Sequence, residues 1–304
     1  MKVAIILPAW NEGLTIAQTI AEFAVAMPTA EIWVIDNNST DQTAAIARNE
    51  ISKLNRLGGV LTEKAQGKSR AVRRAFITVN ADVYLIADAD ATYTADDAAH
   101  MVQLIVDDQA DMVVGDRQIA TGYQTTRTRP LHSSGNWLVT GICNLLYNGE
   151  VRDAMSGYRA FSSRFVLTYP IVTTGFELEV DLTLHAMDKR LRIVEVPTSY
   201  RNRPPGSNSK LRTFSDGFKI LWSISLIVRH YRPITYFGLF AFCFLFLGVL
   251  LYTLQEFSSI LSSSIFLLLC VSAMLLIMTG LILDSIAITA RRDFEILWLR
   301  HRRG

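Results

Sequence analysis

The chain has 304 residues, a formal net charge of +2 and a 50% share of hydrophobic residues. That length supports one large domain or two smaller ones with a sizeable core, and that apolar content excludes a globally disordered chain. The near-neutral charge, with no basic face interleaved with aromatics, argues against a nucleic-acid binder.

Val3 to Leu7 reads as a short apolar strand stopped by Pro8, and Pro8 and Glu12 interrupt it too soon for a secretory signal. Asn11 to Ala26 has helical spacing through Leu14, Ile16, Ile20 and Phe23, and Ile32 to Ile35 is a second strand. The turn cluster Asp36 to Asp41 supplies capping side chains for a helix over Gln42 to Leu54. A third strand is expected at Val60 to Thr62, a basic-faced helix at Lys68 to Val79 and a fourth strand at Val83 to Ala87. Strands separated by helices predict an α/β fold with a mostly parallel, doubly wound sheet.

The fourth strand delivers Asp88 and Asp90 at its C-terminal end, where open α/β sheets place ligand chemistry. Two carboxylates at a strand end can converge on one hard divalent cation and its phosphates, or can simply form a polar turn. Beyond them, Ala95 to Asp107 reads as a helix, Asp111 to Gly115 as a strand, Leu131 to Tyr147 and Phe176 to Lys189 as helices, and Arg192 to Val196 as a strand. Glu177, Glu179 and Asp181 crowd the first turn of the last helix, as its dipole favours. Cys143, Cys243 and Cys270 lack paired spacing and read as small core residues rather than disulfide or thiolate-metal partners.

Ile234 to Leu254 and Ser262 to Leu283 are uncharged stretches of about twenty-one and twenty-two residues, each enough to cross a ~30 Å hydrocarbon layer as a helix. Arg229, His230 and Arg232 precede the first, Arg291, Arg292, Arg300, Arg302 and Arg303 follow the second, and the linker between them has no Lys or Arg. By the positive-inside rule both termini face the cytosol. Phe214 to Tyr231 alternates an apolar side with a narrow polar one and suits a helix in the headgroup region. The predicted organisation is a cytosolic domain over 1–212, an interfacial amphipathic helix over 213–232, a two-helix anchor over 233–290 and a basic cytosolic tail over 291–304, in the inner (cytoplasmic) membrane. Gly238, Gly248 and Gly280 would permit close helix contact, so a homo-oligomer is expected.

Five segments occur in order: Pro8-Ala9-Trp10-Asn11-Glu12, Asp36 to Thr43, Gly67-Lys68-Ser69-Arg70-Ala71, Asp88-Ala89-Asp90 and Gly115-Asp116-Arg117. Together they resemble the nucleotide-sugar half of family 2 glycosyltransferases. Further on, Asp153 to Arg159, Gly175-Phe176-Glu177, Glu195-Val196-Pro197 and Arg203 to Leu211 resemble the branch that loads sugars onto polyprenyl phosphates, the dolichyl-phosphate mannosyltransferase-like and bactoprenol glucosyltransferase-like enzymes. The resemblance implies a GT-A type, Rossmann-like fold and an inverting transfer of a hexose from a UDP-glucose-like or GDP-mannose-like donor. It implies donor contacts from Pro8, Trp10, Glu12, Asp36, Lys68, Asp88, Ala89 and Asp90. Mannosyltransferase-like members often continue the acidic motif with Leu-Gln, where Ala91-Thr92-Tyr93 stand here, and Asn37 replaces a commonly acidic position.

Breaking a sugar–diphosphate bond requires stabilisation of the charge that develops on the leaving group. Mg²⁺ or Mn²⁺ on Asp88 and Asp90 suits that task and oxygen ligands. A lipid monophosphate is already nucleophilic, so its needs are cations that position it: Arg117, Arg203 and Lys210, with the Ser209 hydroxyl. Asp153 either orients the acceptor, takes a proton from it, or serves as a cap or ion-pair partner. Two other functions compete. A glycolipid or polysaccharide acceptor would suit the same donor site, although the Gln-X-X-Arg-Trp segment of processive synthases is absent. A nucleotide-binding membrane scaffold without activity would not need both Asp88 and Asp90.

Overall fold

The computed structural model describes residues 1–118, 130–170, 178–204, 225–226, 228–254 and 259–302. Residues 1–220 and 221–304 form two separate units.

The first unit is built on a seven-stranded sheet in the order β3-β2-β1-β4-β6-β5-β7. Its strands are β1 (Val3–Ala9), β2 (Glu31–Asp36), β3 (Gly58–Thr62), β4 (Val83–Ile86), β5 (Met112–Asp116), β6 (Arg159–Ser162) and β7 (Ile193–Pro197). The connecting helices are α1 (Ile16–Ala26), α2 (Thr43–Lys53), α3 (Lys68–Thr78), α4 (Ala98–Val106), α5 (Pro130–Tyr147), α6 (Ser163–Thr168) and α7 (Leu178–Asp188). The mostly parallel sheet is the predicted one, and β1 and β4 lie at its centre, in keeping with their near-continuous apolar runs. Ile5, Leu7, Ile20, Phe23, Val34 and Leu85 are fully buried there, and each such side chain stabilises the fold by about 1.5–3 kcal/mol.

Three expectations are corrected. Pro8 does not stop β1, which continues to Ala9. Ile6 O accepts from Ala87 N on the β4 side and Ala9 O accepts from Asn37 N on the β2 side. Alternation therefore turns the Pro8 nitrogen toward β4, beyond the last β1–β4 pair at Ile6 and Ile86, where no ladder donor is required. The helix expected from Asn11 starts instead at Ile16, because Asn11 takes a positive φ of 53°. Finally, β6 and α6 were not anticipated. Among the described strands β6 alone runs antiparallel to its neighbours, β4 and β5.

That reversal decides what reaches the ligand edge. The parallel strands present their C-terminal ends at one edge, and β6, running the other way, presents its N-terminal end there. Asp36, Asp88, Asp90 and Arg117 thus meet the loop that carries Asp153, Ser156 and Gly157.

The second unit holds α8 (Pro233–Leu254) and α9 (Ser259–Arg302). Pro233–Thr253 and Ser263–Ile296, of 21 and 34 residues, are long and apolar enough to cross a membrane. The uncharged stretch Ser262 to Leu283 lies within a helix that runs unbroken to Arg302, through much of the basic segment expected over 291–304. Gly248 and Gly280 serve packing within the hairpin: a Cβ on Gly280 would lie 3.2 Å from Phe237 Cβ, and one on Gly248 would lie 3.4 Å from Leu269 Cβ. A Cβ on Gly238 would meet nothing within 4 Å. Of the segment predicted as an interfacial helix, residues 225–226 and 228–231 are helical and the others from 213 to 224, with 227, lie outside the described residues.

Candidate active site

Two and four residues past Ile86, the last β4 residue paired with β1, Asp88 and Asp90 each carry a cation from elsewhere in the chain. Lys68, the first residue of α3, places Nζ 2.5 Å from Asp88 Oδ1 and 2.6 Å from Glu179 Oε1 on α7. Arg203 forms an ion pair with Asp90 Oδ2 and also lies 3.7 Å from Glu12 Oε1. Thr92 donates to Asp90 Oδ1 through both its backbone N–H, at 3.1 Å, and its hydroxyl, at 2.5 Å. The turn is tightened by Ala91, whose φ of 58° is costly for a residue with a Cβ. Thr15, just before α1, donates to Ala89 O at 2.8 Å and ties the aspartate turn to the Glu12 loop.

The charges act on one another. Burial alone would push the Asp88 carboxyl up, but the Lys68 ammonium, with Arg117 and Arg203, holds it below the ordinary carboxylate range. Burial and the neighbouring Asp88 charge push Asp90 above that range, against Arg203 and Thr92. Burial disfavours the Lys68 ammonium, yet Asp88 and Glu179 hold its pKa above the usual lysine value.

Beside this pair sits a second ionic centre. Arg117 forks onto Asp153, with Nε 2.7 Å from Oδ2 and an Nη 2.8 Å from Oδ1. Its guanidinium carbon lies 5.7 Å from the centroid of the Tyr200 ring. Asp153 is fully buried, and Asn136 of α5 donates to its Oδ1 at 2.9 Å. Burial would raise the Asp153 carboxyl, but Arg117 and Asn136 hold it below the ordinary range. The loop is itself held: Glu195 accepts from the backbone N–H groups of Arg152 and Asp153 at 2.9 and 3.0 Å. Arg159, buried, donates to Ser156 O and Ala154 O, both at 2.8 Å.

On the other flank, Asp36 ends β2 opposite Ala9 and is buried, with Oδ1 lacking a hydrogen-bond partner among the described residues. Trp10 follows Ala9, the residue paired with Asp36, and is 36% exposed. Asn37 accepts from Gly67 N at 2.7 Å and donates to Ala65 O at 2.8 Å. Its amide thus fixes the loop that delivers Lys68, a task that needs both a donor and an acceptor and that an aspartate could not perform.

Residues 4–167, more than half of the chain, match the family model described as Glycosyl transferase family 2. The chain belongs to glycosyl transferase family 2. Among relatives of this family, it is 32% identical over 257 residues to the glycosyltransferase AglJ of Haloferax volcanii, covering 84% of this chain and 82% of that one. It is 27% identical over 216 residues to a dolichol-phosphate mannosyltransferase of Pyrococcus furiosus, covering 70% and 60% respectively. In fold it is similar to glucosyl-3-phosphoglycerate synthase from Mycobacterium tuberculosis, in a complex with Mn²⁺, UDP and phosphoglyceric acid. That likeness has a TM-score of 0.57 at 19% identity and covers 75% of this chain and 77% of the other. The protein is therefore a glycosyltransferase with a GT-A-like catalytic fold, related to polyprenyl-phosphate mannosyltransferases.

Against this family background, the structure brings Glu12, Lys68, Asp88, Asp90 and Arg203 into one network and places Arg117 on Asp153 nearby. Pro8 and Ala89 are in place at the same edge as part of β1 and the aspartate turn. Ser209 and Lys210 lie outside the described residues. Glu179, Asn136, Thr92 and Glu195 bond to this cluster and were not singled out from the sequence as candidates. The signal that could have found Asn136 is its spacing of four residues from Thr140 on a helix without a charged side chain: Thr140 donates to Asn136 Oδ1 at 3.2 Å.

Proposed function

We propose that this glycosyltransferase moves a single hexose, with inversion, from a nucleotide-sugar to a polyprenyl phosphate at the cytosolic face of the inner membrane. The observation that carries the reading is the pairing of Asp88 and Asp90, at the end of the central strand, with the Lys68 and Arg203 cations. Two carboxylates so placed form an electrostatic site for positive charge beside a diphosphate.

The residues present suit a hard divalent cation. The donors are oxygens only, and the glycine at 157 keeps space open against the carboxylate, since a Cβ there would lie 2.7 Å from Asp88 Oδ2. Among the described residues no group of three or more His, Cys, Asp or Glu gathers as a metal site, so Asp88 and Asp90 would hold the ion with diphosphate oxygens completing its shell. Mg²⁺ or Mn²⁺ bound there supplies Lewis-acid stabilisation of the departing nucleoside diphosphate.

The chain's own groups do the rest. Glu12, Trp10 and Asp36 hold the nucleoside, Asp36 through the Oδ1 that has no hydrogen-bond partner among the described residues, with Pro8 and Ala89 shaping the floor. Lys68 keeps Asp88 ionised and offers positive charge to the diphosphate. Arg117, aimed by the Asp153 fork, receives the acceptor phosphate, and Arg203 joins it with Ser209 and Lys210. The acceptor phosphate is an anion and needs no strong base, so Asp153 acts as the orienting partner of Arg117 rather than as a proton acceptor. Residues 233–290 anchor the enzyme, with 1–212 and the 291–304 tail in the cytosol and 213–232 at the headgroups, and the assembly is a homo-oligomer.

The test is to incubate detergent-solubilised protein with Mn²⁺, a short-chain polyprenyl phosphate and a panel of radiolabelled UDP- and GDP-sugars. Label entering the organic phase with one donor supports the reading. Label confined to water with every donor overturns it.

A further inference from the structure

Tyr93 lies three residues past Asp90, where the chain leaves the aspartate turn. At 2% exposure it is shielded from both substrates. Its phenol oxygen accepts from Gly157 N at 3.1 Å and lies 3.4 Å from Ser156 Oγ. Both partners belong to the loop that opens with Asp153, the carboxylate that aims Arg117. Gly157 also stands hard against Asp88, since a Cβ there would lie 2.7 Å from Oδ2.

A third segment meets the same residue. The Tyr93 backbone pairs with Tyr200 in an isolated antiparallel bridge, and beside it Thr92 O accepts from Arg201 N at 2.7 Å. The rings of Tyr93 and Tyr200 pack edge to face, with centroids 5.2 Å apart. Tyr200 in turn lies under the Arg117 guanidinium, and two residues past Arg201 the chain delivers Arg203 to Asp90. One residue thus joins the acidic turn, the Asp153 loop and the segment beneath Arg117.

Packing accounts for the ring but not for its hydroxyl. Tyr158, with its centroid 5.2 Å away, and Tyr200 already enclose the ring, and a phenylalanine would fill the same space. A buried hydroxyl is costly unless bonded, and this one supplies an acceptor to a buried loop amide that has no helix or sheet to bond it. We propose that Tyr93 is a positioning residue, whose hydroxyl holds the Asp153 loop, and with it Arg117, in register with Asp88 and Asp90. The consequence for the lipid phosphate rests on the acceptor role proposed above for Arg117; the holding of the loop does not.

The experiment compares the full-length protein with Tyr93→Phe, Arg117→Lys and the double variant. It reads amide hydrogen exchange by mass spectrometry, and sugar transfer to a short-chain polyprenyl phosphate with Mn²⁺ and a panel of UDP- and GDP-sugars. In Tyr93→Phe, exchange over residues 153–158 is expected to rise about tenfold, as for a buried amide stripped of its acceptor, while β1 and β4 exchange as before. The same variant is expected to lose about tenfold in kcat/KM for the lipid phosphate and to keep KM for the donor within about twofold. Because the hydroxyl acts through Arg117, the double variant is expected to be at most about twofold slower than the slower single variant. Unchanged exchange in the loop, unchanged transfer, or losses that simply multiply in the double variant overturn the proposal. A rise in exchange that spreads through β1 and β4 makes the hydroxyl a general contact of the fold and overturns it as well. Raised exchange confined to the loop, with no lipid-linked product from the unsubstituted protein on any donor, leaves the holding of the loop in place and removes the acceptor assignment.

Discussion

Glu179 Oε1 lies 2.6 Å from Lys68 Nζ across 111 residues of sequence, and Asp88 Oδ1 lies 2.5 Å from the same nitrogen. One ammonium thus joins α3, α7 and the end of β4. The pair is largely shielded, with side-chain exposures of 17% for Lys68 and 11% for Glu179. Breaking a shielded pair from one side leaves an underpaired charge, at a cost of about 2–4 kcal/mol. Glu179→Ala is expected to lower the melting temperature by about 4–10 °C in detergent, and Glu179→Gln by less, since it retains an acceptor oxygen. A differential scanning measurement on the two variants checks the order.

Asp153 and Arg117 share two parallel hydrogen bonds, a geometry that a lysine cannot reproduce. Arg117→Lys is expected to raise KM for the lipid phosphate by about tenfold, on the scale of one charge-assisted bond, and to leave KM for the donor within about twofold. A steady-state titration of each substrate against the other separates the two. Equal increases in both constants would remove Arg117 from the acceptor side.

The Asp153 carboxyl is held below the unfolded value of about 3.9. Its contribution to stability is therefore complete above that pH and is lost as pH falls through the lower, folded value. Across pH 5 to 8 it stays ionised, so it contributes no inflection there. Asp153→Asn is expected to lower the transfer rate by about tenfold at every pH in that window, through loss of one charged partner of Arg117, without moving the profile. A profile displaced by the substitution would make Asp153 the proton acceptor instead.

Much of this architecture was written in the local pattern, and the part that was not has a common cause. β1, β2 and β4 are apolar runs whose burial needs no distant partner to be guessed, and Asp88 and Asp90 stand out because polar groups follow such a run directly. β6 has the sequence Arg-Ala-Phe-Ser, with neither length nor period to mark it. It is a strand because β4 and β5 both pair with it, and its Arg159 is tolerated in the core because carbonyls from its own loop accept from it. Glu179 was ambiguous for a different reason: a first-turn acid satisfies the helix dipole without any partner, and only the tertiary fold supplies Lys68. The three glycines of the spans illustrate the same limit. Their size predicts close packing, but which neighbour they pack against is a matter of rotation about the helix axis.

Gly157 has the narrowest clearance in the site. A Cβ there would lie 2.7 Å from Asp88 Oδ2 and 2.9 Å from Lys68 Nζ, so both paired side chains must shift to admit it. Gly157→Ala is expected to keep the fold and to weaken Mn²⁺ binding by about tenfold, the displacement of one carboxylate ligand being on the scale of a supporting-shell loss. Mn²⁺ titration by electron paramagnetic resonance, with UDP present, reads that change directly. Unaltered affinity would take Asp88 out of the metal site while leaving its ion pair with Lys68 intact.

Within the hairpin, Gly280 and Gly238 make opposite predictions. A side chain at 280 would meet Phe237 Cβ at 3.2 Å and the Ile234 backbone Cα at 3.4 Å, so a branched residue there must push α8 and α9 apart. Gly280→Ile is expected to lower thermal stability by several degrees in detergent, as overpacking costs about 1–3 kcal/mol. Gly238 faces open space, and Gly238→Ile has no such neighbour to displace within the chain. If copies of the protein pack through that side of α8, Gly238→Ile separates them while the hairpin stays intact, because small residues permit the close approach that drives helix association in lipid. Size-exclusion with light scattering on both variants distinguishes the cases: a lower mass for Gly238→Ile alone places the oligomer contact on α8, and an unchanged mass moves it elsewhere.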